Sequence, residues 1–174
     1  MKEWSIRVIL LAAFVALGFW GWHGFFPSPE TVIRKRLDKL AKAASFSSQE
    51  GLLAKAWNAS SLGEFFTLDV QVTMDVPGTQ HIISGRDELL QAAVGARSTV
   101  SSLTIELPDI KVVVAPDKTS AVVNLTAIGK VSGQSETYLQ EFRLRMVNVK
   151  SDWLINQIET VRTLSERAVA GISC

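Results

Sequence analysis

The chain has 174 residues, with 18 Lys and Arg against 17 Asp and Glu, and a net charge of +1 when both histidines are neutral. This balance lacks the basic excess by which proteins neutralise phosphates, so nucleic acid is set aside as a partner. The single cysteine, Cys174, is the last residue, which excludes an intrachain disulfide and prenylation alike.

Residues 8–26 form an uncharged apolar run between Arg7 and the break Pro27-Ser28-Pro29. At 1.5 Å per residue, such a helix is about 28 Å long, close to one bilayer hydrocarbon core. Trp4 stands near one end and Trp20 and Trp22 near the other, as interfacial rings do. Residues 22–26 make a poor signal-peptidase site, so the run is read as an uncleaved anchor in membrane lipid. A basic count alone (Lys2 and Arg7 before the span, five Lys and Arg at 34–42 after it) would hold the following domain in the cytoplasm. Short N-terminal tails are usually retained inside, and the expectation is a single-pass protein of a bacterial inner membrane with an extracytoplasmic domain. The organisation follows as anchor and proline hinge at 1–29, one α+β domain at 30–164 and a tail at 165–174.

Beyond the prolines, Ile33, Leu37, Leu40, Ala41 and Ala44 mark one face of a helix over 30–44, with Lys35, Lys39 and Lys42 on another. That basic face could rest on anionic headgroups, or simply be solvated. Ser47-Ser48-Gln49-Glu50 has the capping-box form, predicting a second helix to about Trp57, with a short helical turn at 61–66. The period then falls to two over 68–74, a strand ending at Pro77-Gly78, and 80–84 returns beside it. Leu89, Leu90, Ala93 and Val94 mark a third helix over 86–97. Strands follow at 103–114, 120–131, 136–149 and 152–162, separated by Ala115-Pro116-Asp117-Lys118, Ser132-Gly133-Gln134-Ser135 and Lys150-Ser151. Pro108 cannot donate to a ladder and predicts a bulge at Pro108-Asp109.

In the strand over 136–149, Tyr138, Gln140, Phe142, Leu144 and Met146 form one side and Glu141, Arg143 and Arg145 the other. A two-residue turn at Lys150-Ser151 places Met146 opposite Ile155, Leu144 opposite Gln157 and Phe142 opposite Glu159. Tyr138, Gln140, Gln157 and Glu159 are then grouped on the inward face, where buried polar groups require partners or a ligand.

The order of elements resembles the nuclear transport factor 2-like superfamily in its SnoaL-like, polyketide cyclase-like branch. The matching pieces are Glu64-Phe65-Phe66-Thr67-Leu68-Asp69, Ile83-Ser84-Gly85-Arg86-Asp87-Glu88-Leu89-Leu90 and Ser151-Asp152-Trp153-Leu154-Ile155. The resemblance implies a cone-shaped curved antiparallel sheet packed on about three N-terminal helices, and an outer sheet face that pairs with a second copy. In the steroid isomerase branch a catalytic carboxylate would fall at Met74. Asp75 is one residue later, on the opposite face, and the only tyrosine, Tyr138, lies on a strand instead of the first helix. Both departures argue against that chemistry.

The two histidines, His23 and His81, read as an interfacial residue and a solvent-facing strand residue, and no metal site or cofactor is expected. Glu159 is the one acid whose inward placement would suit acid–base work. The favoured reading is a membrane-anchored, non-catalytic binding or assembly module, with a homodimer or membrane-protein contact on the outer face. The alternative is a small-molecule enzyme or carrier, isomerase, cyclase or dehydratase in type. It would use Glu159 as acid or base and Tyr138, Gln140 and Gln157 as orienting groups.

Overall fold

A computed structural model describes residues 27–47, 61–76, 79–133 and 137–164. The expected span at 8–26 and the tail at 165–174 lie outside these residues. Among the described residues no helix is long and apolar enough to cross a membrane.

Helix α1, Pro29–Ala44, begins where Ser28 caps it: the Thr31 amide donates to Ser28 Oγ at 3.3 Å. Pro29 occupies a first-turn position where its missing N–H costs nothing. The Glu30 carboxyl is held below the usual carboxylate range by its own backbone N–H and the Ser28 hydroxyl. As the spacing predicts, Ile33, Leu37 and Ala41 are buried while Lys35, Lys39 and Lys42 face solvent. At its other end Ser45 Oγ donates to the Ala41 carbonyl at 2.7 Å and accepts from the Ile105 amide at 2.9 Å. Phe46 and Leu103 exchange both backbone hydrogen bonds, so the helix end is tied to a strand 57 residues away.

A 3₁₀ turn, Gly63–Phe65, leads into β1, Phe66–Val76, which turns back as β2, Thr79–Ser84. Gly85 follows with φ of 97°, a conformation that costs glycine little, and its amide donates to the Val70 carbonyl at 2.8 Å. Helix α2, Arg86–Thr99, starts there, with Glu88 reaching back to the Ser84 amide at 3.0 Å. Four long strands complete the chain: β3, Leu103–Val114; β4, Ser120–Val131; β5, Thr137–Val149; and β6, Asp152–Leu164.

These strands form one curved six-stranded sheet in the order β2-β1-β6-β5-β4-β3. The architecture is α+β, with one correction to the expected form. The sheet is not wholly antiparallel, because β1 lies parallel to β6. Turn chemistry reports only hairpin neighbours, and β1 and β6 are joined by no hairpin. Two complete α-helices lie among the described residues, Ser61 and Leu62 are helical ahead of the 3₁₀ turn as expected for 61–66, and the helix expected over 47–57 lies outside the described residues apart from Ser47.

The turns follow their sequences. Lys150 and Ser151 take φ of 50° and 75° in a two-residue hairpin closed by the Val149 and Asp152 pair. Asp117 accepts from the Thr119 amide at 3.1 Å and its hydroxyl at 2.8 Å, and these bonds hold its carboxyl below the usual range. The predicted bulge in β3 is present: the register shifts between Glu106 and Asp109.

Two further bulges lie in β6. Arg145 pairs with Gln157 while Met146 pairs with Ile155, which leaves Asn156 as the extra residue; between Glu141 and Phe142 the extra residue is Val161. The core packs on the inner face, under α1, around Val70, Val123, Leu144, Met146 and Ile155.

Candidate functional site

The inner face does not fill completely. A cavity of about 290 Å³ remains between the helices and the sheet. α1 contributes Leu40 and Ala44, α2 contributes Leu89 and Ala93, and the sheet contributes Phe142 and Ile158 among others. Every described residue lining it is Leu, Ile, Ala or Phe. Such a wall has no fixed donor or acceptor to orient a polar substrate, and its natural content is an apolar group.

The predicted site residues lie elsewhere, and the bulge at Asn156 is the reason. A strand's side chains alternate between faces, so one extra residue exchanges the faces of those that follow. Met146 does lie opposite Ile155, but Leu144 lies opposite Ile158 and Phe142 opposite Thr160, not opposite Gln157 and Glu159. Gln157 is instead opposite the exposed Arg145, and Glu159 opposite the exposed Arg143. The inward placement of these two residues is therefore corrected: they belong to the outer face, where Gln157 Nε2 donates to Glu159 Oε1 at 2.7 Å.

Tyr138 and Gln140 keep the parity of Phe142, since β4 and β5 pair without a bulge. They lie beyond it towards the strand end; Tyr138 is 52% exposed, and Gln140 Nε2 donates to the Glu141 carbonyl at 3.0 Å. None of the four lines the cavity. Met74 packs at the edge of the core opposite the exposed His81. Among the described residues no cluster of three His, Cys, Asp or Glu side chains could hold a metal.

A second hollow, about 250 Å³, opens on the outer face, with Asp109, Lys111, Asn124, Thr126, Glu141 and Val161 on its walls. Acids and bases alternate there, and Arg143 Nε donates to Asn124 Oδ1 at 3.3 Å. Such a face can meet another polar surface, but it concentrates no charge of one sign.

Sequence reasoning missed Arg97. Read as the last residue of an amphipathic helix, it carries no signal beyond a favourable charge near a helix C-terminus. In the fold it is 8% exposed. Its Nη2 donates to the Ala43 carbonyl in the last turn of α1, and its guanidinium lies over the Phe46 ring, 5.1 Å from the centroid.

Solved structures share this fold. A nuclear transport factor 2-like protein with a cystatin-like fold from Novosphingobium aromaticivorans matches with a TM-score of 0.62 and 16% identity, over 91% of this chain and 90% of that one. A candidate scytalone dehydratase from the same organism matches at 0.56 and 15% identity, over 78% and 86% of the two chains. Aln2 from a Streptomyces species matches at 0.60 and 14% identity, over 79% and 94%. No protein-family model matches the sequence, and no curated protein is significantly similar to it. At these identities the likeness establishes a nuclear transport factor 2-like fold, and a fold of this kind carries many functions.

Proposed function

We propose that this chain is a small-molecule binding module whose ligand occupies the apolar cavity beneath α1 and α2, without acid–base chemistry inside it. The observation that carries the reading is the wall itself, whose described residues are all Leu, Ile, Ala and Phe. Glu159, the acid that the alternative enzyme reading needs, is on the opposite face of the sheet. A dehydratase name among the solved structures agrees with a ligand-taking cavity, and says nothing about which ligand this chain takes.

The anchor reading adds a location. Residues 8–26 would hold the domain at a bilayer surface, within reach of apolar ligands that partition there. The outer face, with Val113, Val122 and Val161 exposed among its charges, is the surface proposed for a second copy or a membrane-protein partner.

Native mass spectrometry on the full chain released from its own host tests the cavity. The expected result is a reproducible apolar adduct that disappears when Ala127→Phe fills the space. An adduct retained by that variant, or none in the native chain, would refute the proposal. Carbonate extraction tests the location: the full chain should stay with the membrane, and its release would remove the anchor from the reading.

A further inference from the structure

The cavity owes its room to small side chains on three elements. Ala41 and Ala44 come from α1, Ala93 from α2 and Ala127 from β4, while the other described residues of the wall are Leu, Ile and Phe. On the sheet side the register adds to this. Between the Glu106–Ile128 and Asp109–Thr126 pairs, β3 has Leu107 and Pro108 against the single residue Ala127 of β4. The strand therefore bends where β4 presents only a methyl group, and Leu107 and Ala127 both line the space.

Volume and polarity together limit what this space accepts. A cavity of about 150 Å³ lined by Leu, Ile and Phe stays dry and takes up benzene. The space here, about 290 Å³, is roughly twice as large, which corresponds to about ten to twelve carbon atoms. Among the described residues the wall exposes no polar atom. The buried side-chain N and O atoms left without a hydrogen-bond partner among the described residues belong to Arg36, Thr67, Arg97 and Asn156, and none of these lines the space. A hydroxyl or carbonyl carried inside would lose its water and meet no partner.

We infer that the cavity takes a compact hydrocarbon group of about ten to twelve carbons, free of hydrogen-bonding atoms, and that Ala127 at the β3 bulge sets this size. The inference rests on the cavity reading above and narrows it to a ligand class. Polar atoms elsewhere in the ligand stay outside the space. Hydroxylated rings of the same size are excluded by desolvation, and larger ring systems by volume.

The test titrates naphthalene, naphthalene-1,5-diol, pyrene and benzene against the full chain in amphipol by equilibrium dialysis, where saturation at one per chain separates the site from partition into amphipol. Naphthalene, with ten carbons, should saturate. The diol has hydroxyls at opposite ends, so that one must be buried, and should bind roughly tenfold to hundredfold more weakly. Pyrene, with sixteen carbons, should not saturate. Diol binding as tight as naphthalene, or saturation by pyrene, would overturn the ligand class and leave the cavity reading standing. Saturation by none of the four probes would overturn the cavity reading and this inference with it. Ala127→Leu should lose naphthalene and still take benzene; loss of both, or of neither, in a folded protein would overturn the assignment of size to Ala127. If Ala127→Leu does not fold, the smaller change Ala127→Val should weaken naphthalene while leaving benzene unchanged, and equal effects on the two would overturn the same assignment.

Discussion

The two faces of the sheet run through the same strands and behave as different materials. Across the inner face, Val112, Val123, Leu144, Ile158 and Val72 are successive neighbours, and so are Val114, Ala121, Met146, Ile155 and Phe66. One residue along on the outer face the rows read Lys111, Asn124, Arg143, Glu159, Thr73 and Val113, Val122, Arg145, Gln157, Gln71. A single inserted residue, Asn156, keeps these rows pure through β6. Without it Gln157 and Glu159 would enter the inner rows, and Ile158 would leave them. The comparison shows that the chemistry of the cavity is set by register as much as by composition.

Deleting Asn156 should break the distinction most severely. Returning β6 to even alternation buries Gln157 and Glu159 against Leu144 and Phe142, and each buried polar group without a partner costs about 1–3 kcal/mol. A loss of about 3 kcal/mol or more, or no cooperative unfolding, is expected in denaturant titrations; a native midpoint would show that β6 re-bulges elsewhere.

Truncation sharpens the same contrast. Leu144→Ala on the inner face should cost about 2–5 kcal/mol as a core cavity, whereas Arg143→Ala, its neighbour on the outer face, should cost under about 1 kcal/mol. Paired urea melts measure the difference, and equal costs would contradict the assignment of faces.

Glu159→Gln should be milder still. It replaces the acceptor of the Gln157 bond with another carbonyl oxygen and should change stability by about 0.5 kcal/mol or less, with adduct retention unchanged. Loss of the adduct in a folded Glu159→Gln protein would restore the acid to the site.

The smallest effect concerns pH. The folded Asp117 carboxyl is held below its ordinary value by Thr119, so the bonds it makes contribute stability above the ordinary carboxylate pKa. That contribution is lost as pH falls through the lowered folded value. Asp117→Asn should flatten this acid limb slightly in melts recorded across acidic pH, and a limb unchanged by the substitution would remove Asp117 from it.

Much of the fold was legible because its signals are local. Ile33, Leu37 and Ala41 recur at helical spacing, Pro108 marks its bulge, and Lys150-Ser151 sets its hairpin; each feature depends on residues close in sequence. The site was less legible. Asn156 belongs to no turn or bulge signature, so simple alternation carries Gln157 and Glu159 to the wrong face. Leu68 shows the same limit: it alternates in phase with Val70 and Val72 and yet is 72% exposed, because the β1–β6 register shifts between Phe66 and Gln71.

The sequence by itself determined the helices and strands of the described residues, the Lys150-Ser151 hairpin and the apolar character of the inner strands, since periodicity and turn chemistry act over a few residues. Tertiary structure decided the parallel pairing of β1 with β6, the polar residues excluded from the cavity, and the burial of Arg97 against Ala43 and Phe46. Each of these joins residues distant in the chain, and no local pattern encodes which distant surface a strand edge or a guanidinium will meet.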